Sequence, residues 1–158
     1  FFFMQLLERS LLLFRETDPY LFAVLAVSFD QNNRVKDHLE IKNWISALRA
    51  AAETLSTTVR PTDTVARFDQ DNFYILIDNI ADKEIPRMVA SRIRKNLNEK
   101  LSQLGFNVQF TVSAGVLYCD RTYENTEDIL RDANSARSLG TFQGGVISEC
   151  TNQISIML

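Results

Sequence analysis

Apolar positions along this chain change period several times, and each change marks an element. Leu6, Leu7, Leu11 and Phe14 recur at helical spacing within residues 4–15, with Glu8, Arg9 and Arg15 off that stripe. Asp18-Pro19 breaks the pattern. Residues 20–29 are then almost continuously apolar and rich in Val, Leu and Phe, which predicts a buried strand. The polar run Asp30-Gln31-Asn32-Asn33 predicts a turn. A helical period returns over residues 37–59 through Leu39, Ile41, Trp44, Ile45, Leu48, Ala52 and Leu55, and Pro61 ends it by disfavouring α geometry at Arg60. Short strands at 64–68 and 73–77 flank the polar hairpin turn Asp69-Gln70-Asp71-Asn72. Residues 81–104 predict the next helix, with Pro86 early enough to be tolerated and Gly105 as its stop. Residues 108–118 alternate into a long strand. Thr126 caps a helix reaching Arg137, its positive end matched by Glu127 and Asp128. Beyond it, Gly140, Gly144 and Gly145 precede a short strand near Val146, and residues 151–158 carry no assignable pattern.

The order is a helix, then β-α-β-β-α-β, then a helix and a short strand. It predicts an α/β (α+β) fold with a ferredoxin-like or palm-type βαββαβ core, a central antiparallel sheet and flanking helices. In that arrangement the central hairpin lies beside the first strand. The end of that strand, residues 28–30, therefore faces the hairpin tip at residues 69–72, and chemistry has to sit there.

Length adds that residues 1–158 suit one domain with a single core. Phe1 in place of a starting Met predicts a piece of a longer, multidomain protein. A net charge of −3 supplies no positive field for nucleic acid, so none is expected as a partner. The longest apolar runs are too short to cross a bilayer, and the first residues lack the basic and small-residue features of a signal peptide. Membrane insertion is thus not expected. Cys119 and Cys150 are too few for a disulfide framework or a zinc site, which makes a reducing cytoplasm the simplest location. His38 is the only histidine, so metal sites built on several histidines are excluded.

Three stretches then carry a family resemblance. Arg60-Pro61-Thr62-Asp63-Thr64-Val65-Ala66-Arg67-Phe68, with a hairpin ending in Phe73, resembles the approach to the signature of GGDEF (diguanylate cyclase) domains. Phe110-Thr111-Val112-Ser113-Ala114-Gly115-Val116 is similar to that family's later strand, which reads T-V-S-x-G-V. Asp128-Ile129-Leu130-Arg131-Asp132-Ala133-Asn134-Ser135-Ala136 resembles its last helix. The likeness runs in one order over residues 3–145. Active members condense two GTP molecules into cyclic di-GMP by two-metal chemistry, with carboxylates holding Mg²⁺. The resemblance therefore implies a domain of bacterial cyclic di-GMP signalling.

The same alignment implies losses. The Gly-Gly-Asp/Glu-Glu-Phe signature reads Asp69-Gln70-Asp71-Asn72-Phe73, so two glycines that admit phosphate are gone, and Asn72 replaces a carboxylate that Asp71 keeps one position earlier. The first Asp of the family's D-x-D falls on Ser28, leaving Asp30, and its phosphate-contacting Lys falls on Asn33. The guanine-reading Asn and Asp fall on Lys36 and Ile45, and the later phosphate-binding Lys and Arg on Thr141 and Gly145. Independently of any family, no glycine precedes Gly105, so the first two thirds of the chain hold no Gly-rich phosphate cradle. The expectation is a degenerate domain with no catalytic residues and no cofactor, Mg²⁺ entering only with residual cyclase activity.

Arg60-x-x-Asp63 matches the family's inhibitory-site motif, which binds cyclic di-GMP, and Arg92 best matches a second arginine contributed by the following helix. Guanidinium forks suit phosphates and guanine O6/N7, and a carboxylate can accept from guanine N1 and N2. The plainer reading is an arginine favoured at a helix end and an aspartate favoured in a turn. Asp30, Asp69 and Asp71 either converge on a weak cation site or are solvated turn carboxylates. Trp44 reads as core, and Arg92, Arg94, Lys95 and Lys100 also read as a solvated helix face. The expected function is an inactive regulatory domain that binds cyclic di-GMP at Arg60, Asp63 and Arg92, dimerises, or contacts a neighbouring sensor or phosphodiesterase domain. A ligand-free interaction module and a cyclase with an altered site are the alternatives.

Overall fold

A strand apolar at nearly every position has two faces to bury, and β1 (Phe22–Gln31) lies at the centre of a sheet covered on both sides. The computed structural model describes residues 2–31, 38–69, 72–104, 110–119, 123–142, 148–150 and 153–157. Before β1 comes α1 (Phe2–Glu16); after it come α2 (His38–Thr58), β2 (Thr64–Arg67), β3 (Asn72–Ile77), α3 (Glu84–Gln103), β4 (Phe110–Cys119), α4 (Thr126–Phe142), β5 (Ser148–Cys150) and β6 (Gln153–Met157). The six strands are ordered β2-β3-β1-β4-β6-β5, every neighbouring pair antiparallel. The first four have the expected ferredoxin-like order. β6 and β5 extend the sheet past β4.

The two-residue period of the strands sorts the core into two layers. Ala23, Leu25, Val27 and Phe29 of β1, with Phe73, Ile75 and Ile77 of β3, pack on Leu48, Ala51 and Leu55 of α2 and on Val89, Ile93 and Leu97 of α3. The alternate residues Phe22, Val24 and Ala26, with Tyr74, Leu76 and Leu117, meet Phe3, Leu7 and Leu11 of α1 and Ile129 and Ala133 of α4. Full burial of one such Leu, Ile or Phe contributes about 1.5–3 kcal/mol. Helix packing on both faces therefore holds the sheet.

Several boundaries differ from expectation. β1 starts at Phe22 and runs on through Asp30 and Gln31, expected in a turn, because pairing with Thr111 and Phe110 of β4 extends the strand. α3 begins at Glu84 rather than 81: the Asp82 carboxylate accepts the Glu84 N–H at 2.8 Å, a local side-chain-to-backbone turn over residues 82–84 that leads into the helix. α4 continues past Arg137 and through Gly140 to Phe142. Glycine costs a helix about 1 kcal/mol, and packing of α4 along β4 and β6 offsets it. β6 occupies residues that the sequence pattern left unassigned; it pairs with β4 through Ser113–Met157 and Leu117–Gln153. Val146 and Gly105 lie outside the described residues, and the short strand after α4 runs over Ser148–Cys150. Among the described residues, no helix is long and apolar enough to cross a membrane.

Candidate functional site

The turn between α2 and β2 is built around one buried carboxylate. α2 stops at Thr58 ahead of Pro61, and Asp63 N–H donates to the Arg60 carbonyl at 2.9 Å, closing a turn. The turn brings the Asp63 side chain under Arg60. Asp63 Oδ2 accepts from Arg60 N at 3.0 Å and Arg60 Nε at 3.1 Å, and Oδ1 accepts from Arg60 Nη2 at 2.9 Å and Asp78 N at 3.2 Å. Arg60 Nη2 also donates to the Asp78 carbonyl at 2.7 Å. The Asp63 side chain is 0% exposed and that of Arg60 36% exposed. The hydrogen bond to Asp63 holds the Arg60 guanidinium above its ordinary pKa, against the opposing effect of partial burial.

Asp78, just past β3, is the hub that sequence reasoning missed. Its backbone joins the Arg60–Asp63 pair, and its carboxylate accepts from the Tyr20 hydroxyl. That hydroxyl also lies 3.1 Å from Ser10 Oγ, a buried polar atom in the middle of α1. Asn79 follows with φ of 44°, a left-handed conformation that asparagine tolerates. The chain then turns back, so that Ile80 N–H reaches the Leu21 carbonyl at 2.9 Å. Burial, reinforced by the Asp78 hydrogen bond, pushes the Tyr20 pKa far up. A Tyr followed by an apolar run, and an Asp at a strand end, were visible in the sequence; their pairing across 58 residues was not.

Arg92 lies on α3, exposed, and makes no hydrogen bond or ion pair among the described residues. It sits one helical turn before Asn96, whose amide donates to Thr58 Oγ1 at 3.0 Å and ties α3 to the end of α2. In the chain, Arg60 lies two residues beyond Thr58 and Arg92 one helical turn before Asn96, the two residues joined by that contact.

The end of β1 faces the hairpin as expected. Ser28 is the cross-strand neighbour of Asn72, and Phe29 meets Phe73 edge to face at 5.7 Å. At the tip, Asn72 Nδ2 lies 3.3 Å from Asp69 Oδ2, and Arg67 Nε donates to the Asp69 carbonyl at 3.1 Å. Gln70, Asp71, Asn33, Lys36 and Gly145, and the side chains of Asp30 and Thr141, lie outside the described residues. Ile45 is 51% exposed, an apolar side chain in water, whereas Trp44 is half-buried against the α2–α3 layer. Among the described residues no cluster of three or more His, Cys, Asp or Glu could hold a metal ion.

A basic residue does reach the strand end, and it is Arg137 of α4. Its Nη1 donates to Ser28 Oγ at 2.8 Å, and its Nε to Asn134 Oδ1 at 3.2 Å. Ser28 is only 2% exposed. The approach depends on Gly115 of β4, where a Cβ would fall 2.2 Å from Arg137 N and 2.7 Å from Ala136 C. Gly115 pairs with Ala26, two residues before Ser28, so small residues let the α4 backbone settle on the sheet beside that position.

Comparison with known proteins gives the same fold. The GGDEF domain of YfiN (TpbB) from Pseudomonas aeruginosa superposes with a TM-score of 0.75 at 22% identity, covering 90% of this chain and 89% of that one. At that identity the likeness concerns the fold alone. An EAL/GGDEF domain protein from M. capsulatus is 28% identical with a TM-score of 0.60, over 87% and 88% of the two chains. The cyclic di-GMP phosphodiesterase NbdA of Pseudomonas aeruginosa is 28% identical over 114 residues, which is 72% of this chain but 14% of that relative. The family model described as diguanylate cyclase, GGDEF domain, matches residues 1–139. The chain belongs to the GGDEF domain family.

Proposed function

We propose that this GGDEF domain acts in cyclic di-GMP signalling as a catalytically silent regulatory domain that binds cyclic di-GMP through Arg60 and Arg92. The observation that carries the silence is the pairing of Ser28 with Asn72. Of the positions where the family resemblance expects a carboxylate, these two have lost it and are cross-strand neighbours, while Asp30 and Asp71 keep theirs. Two-metal chemistry needs carboxylates to hold its ions, and a hydroxyl beside an amide does not replace them. Ile45 supports the reading from the base side, because an exposed aliphatic group accepts no hydrogen bond from guanine.

Binding is supported by Arg60, whose fork is fixed from behind by Asp63 and Asp78 while over a third of its side chain stays in solvent. Preorganisation of this kind lowers the entropic cost of gripping a phosphate. Asp63 then serves as the positioning residue, since both its oxygens are filled inside the protein. The domain is taken as one unit of a longer signalling protein, in which it would answer to cyclic di-GMP and act on a neighbouring sensor or phosphodiesterase domain. Incubation with GTP and Mg²⁺ or Mn²⁺ tests the silence: any cyclic di-GMP formed that is lost in Asp71→Ala contradicts it. Calorimetric titration with cyclic di-GMP tests the receptor role, and absence of heat at high micromolar ligand leaves a ligand-free interaction module.

A further inference from the structure

The guanidinium at the end of β1 has a second meaning. Ser28 stands where the resemblance implies a carboxylate that coordinates Mg²⁺, and its hydroxyl oxygen is taken by Arg137 Nη1 at 2.8 Å. A positive charge already lies within hydrogen-bond distance of the side-chain oxygen at that position. Among the described residues, the donors at this strand pair suit a divalent ion poorly: a neutral hydroxyl already accepting a hydrogen bond, and the amide of Asn72 across it; the Asp30 side chain and Asp71 lie outside the described residues. At the Ser28–Asn72 pair the described donors therefore do not fit the family's metal, and a cationic side chain of the protein itself lies against Ser28.

We propose that Arg137 is a resident cation that occupies the metal position at the end of β1, which makes this strand end metal-excluding and joins α4 to the sheet without an ion. This rests on reading the strand end as non-catalytic. Two further contacts favour a built arrangement over a chance one. Asn134, one turn earlier on α4, accepts from Arg137 Nε and aims the guanidinium, and the close seating of α4 on Gly115 fixes where Arg137 begins. The charge is also felt by its neighbour Tyr74, whose pKa is raised by burial while Arg137 pulls it back down. Arg137 belongs to the stretch that resembles the family's last helix, and what singles it out is that a helix backbone resting on glycine delivers a guanidinium, with no ion needed, to a strand 109 residues away.

The test supplies the missing carboxylates and asks whether arginine keeps the metal out. Mn²⁺ binding by the full 158-residue chain is measured by electron paramagnetic resonance in Ser28→Asp/Asn72→Glu, alone and combined with Arg137→Met or Arg137→Lys. With Arg137 or Lys at 137, Mn²⁺ binding is expected to stay weak. With Arg137→Met it is expected to tighten at least about tenfold, since a unit charge at contact distance outweighs that much binding energy. Circular dichroism and thermal melting of each variant establish that it is folded. Equal Mn²⁺ affinity in the Arg, Lys and Met backgrounds overturns the proposal. Turnover of GTP by the unmodified chain would instead overturn the reading of silence, so the two failures are told apart.

Discussion

Arg60 and Asp63 form a forked ion pair with one dry end and one wet end. Both carboxylate oxygens of Asp63 are occupied, each by one guanidinium nitrogen and one backbone N–H, and its side chain is closed to solvent. Turning that carboxylate outward to a ligand would strip two backbone donors of their partner, at about 1–3 kcal/mol for each buried group left unsatisfied. The pair therefore works in one direction. Asp63 holds, and Arg60 presents.

That asymmetry predicts different costs for the two halves. Asp63→Ala removes the acceptor for four donors and is expected to destabilise the domain by about 3 kcal/mol, as for breaking a buried charge pair. Arg60→Ala leaves Asp63 with its two backbone N–H partners, and a cost of about 1–2 kcal/mol is expected. Urea unfolding of both variants measures the difference. Equal costs would mean that the Asp78 and Arg60 backbone contacts contribute nothing.

Tyr20 makes the fold sensitive to alkali. Its pKa is raised in the folded state, so below about pH 10, the ordinary tyrosine value, both states carry the neutral phenol and stability does not depend on it. Above that pH the unfolded chain ionises first, binds fewer protons and gains population, so stability falls as pH rises. Tyr74 is raised as well and adds to the slope. Tyr20→Phe is expected to lose about 1 kcal/mol at neutral pH with its hydrogen bond to Asp78. The same variant should show a shallower loss above pH 10, read from melting temperatures across a pH series.

Gly115→Ala tests the seating of α4. The added methyl would sit 2.2 Å from a backbone nitrogen, where no flexible side chain can yield. A loss of about 3 kcal/mol is expected, at the upper end for overpacking, with α4 displaced and amide exchange along it accelerated. A melting temperature unchanged by the substitution would contradict the close approach.

Much of this architecture was legible in the chain, and the exceptions share a cause. The apolar run of β1 announced a strand buried on both faces, and Pro61 announced the end of α2. The Asp69–Asn72 turn announced the hairpin that pairs Asn72 with Ser28. Those signals are local, set by periodicity and by the geometry of proline and turn residues. What stayed hidden was long-range. The inward turn of Asp63 depends on backbone donors at Arg60 and Asp78, and the cation beside Ser28 comes from Arg137 on α4, 109 residues on. The continuation of α4 beyond Arg137 was hidden too, because the β6 strand supporting it lies later in the chain. Glycine at Gly115 was the one sequence signal that could have pointed to a helix backbone resting there.

Restoring one carboxylate should not restore chemistry. Asn72→Glu returns an acid opposite Ser28, yet the partner position still offers only a hydroxyl held by Arg137. Chromatography of reactions with GTP and Mg²⁺ is expected to show no cyclic di-GMP from the unmodified chain or from this variant. Product from Asn72→Glu alone would mean that an acid at position 72, with the retained Asp30 and Asp71, suffices without a carboxylate at Ser28.

The most direct measurement is calorimetric titration of cyclic di-GMP into the unmodified chain, Arg60→Ala and Arg92→Ala. Loss of a charge-assisted contact is worth about 1.5–3 kcal/mol, so each variant should bind at least about tenfold more weakly. Arg92→Ala should do so with its melting temperature nearly unchanged, since Arg92 is exposed and makes no hydrogen bond or ion pair among the described residues. Saturable binding weakened in both variants is the predicted result. Binding that is absent, or that is indifferent to Arg60 and Arg92, would contradict the account.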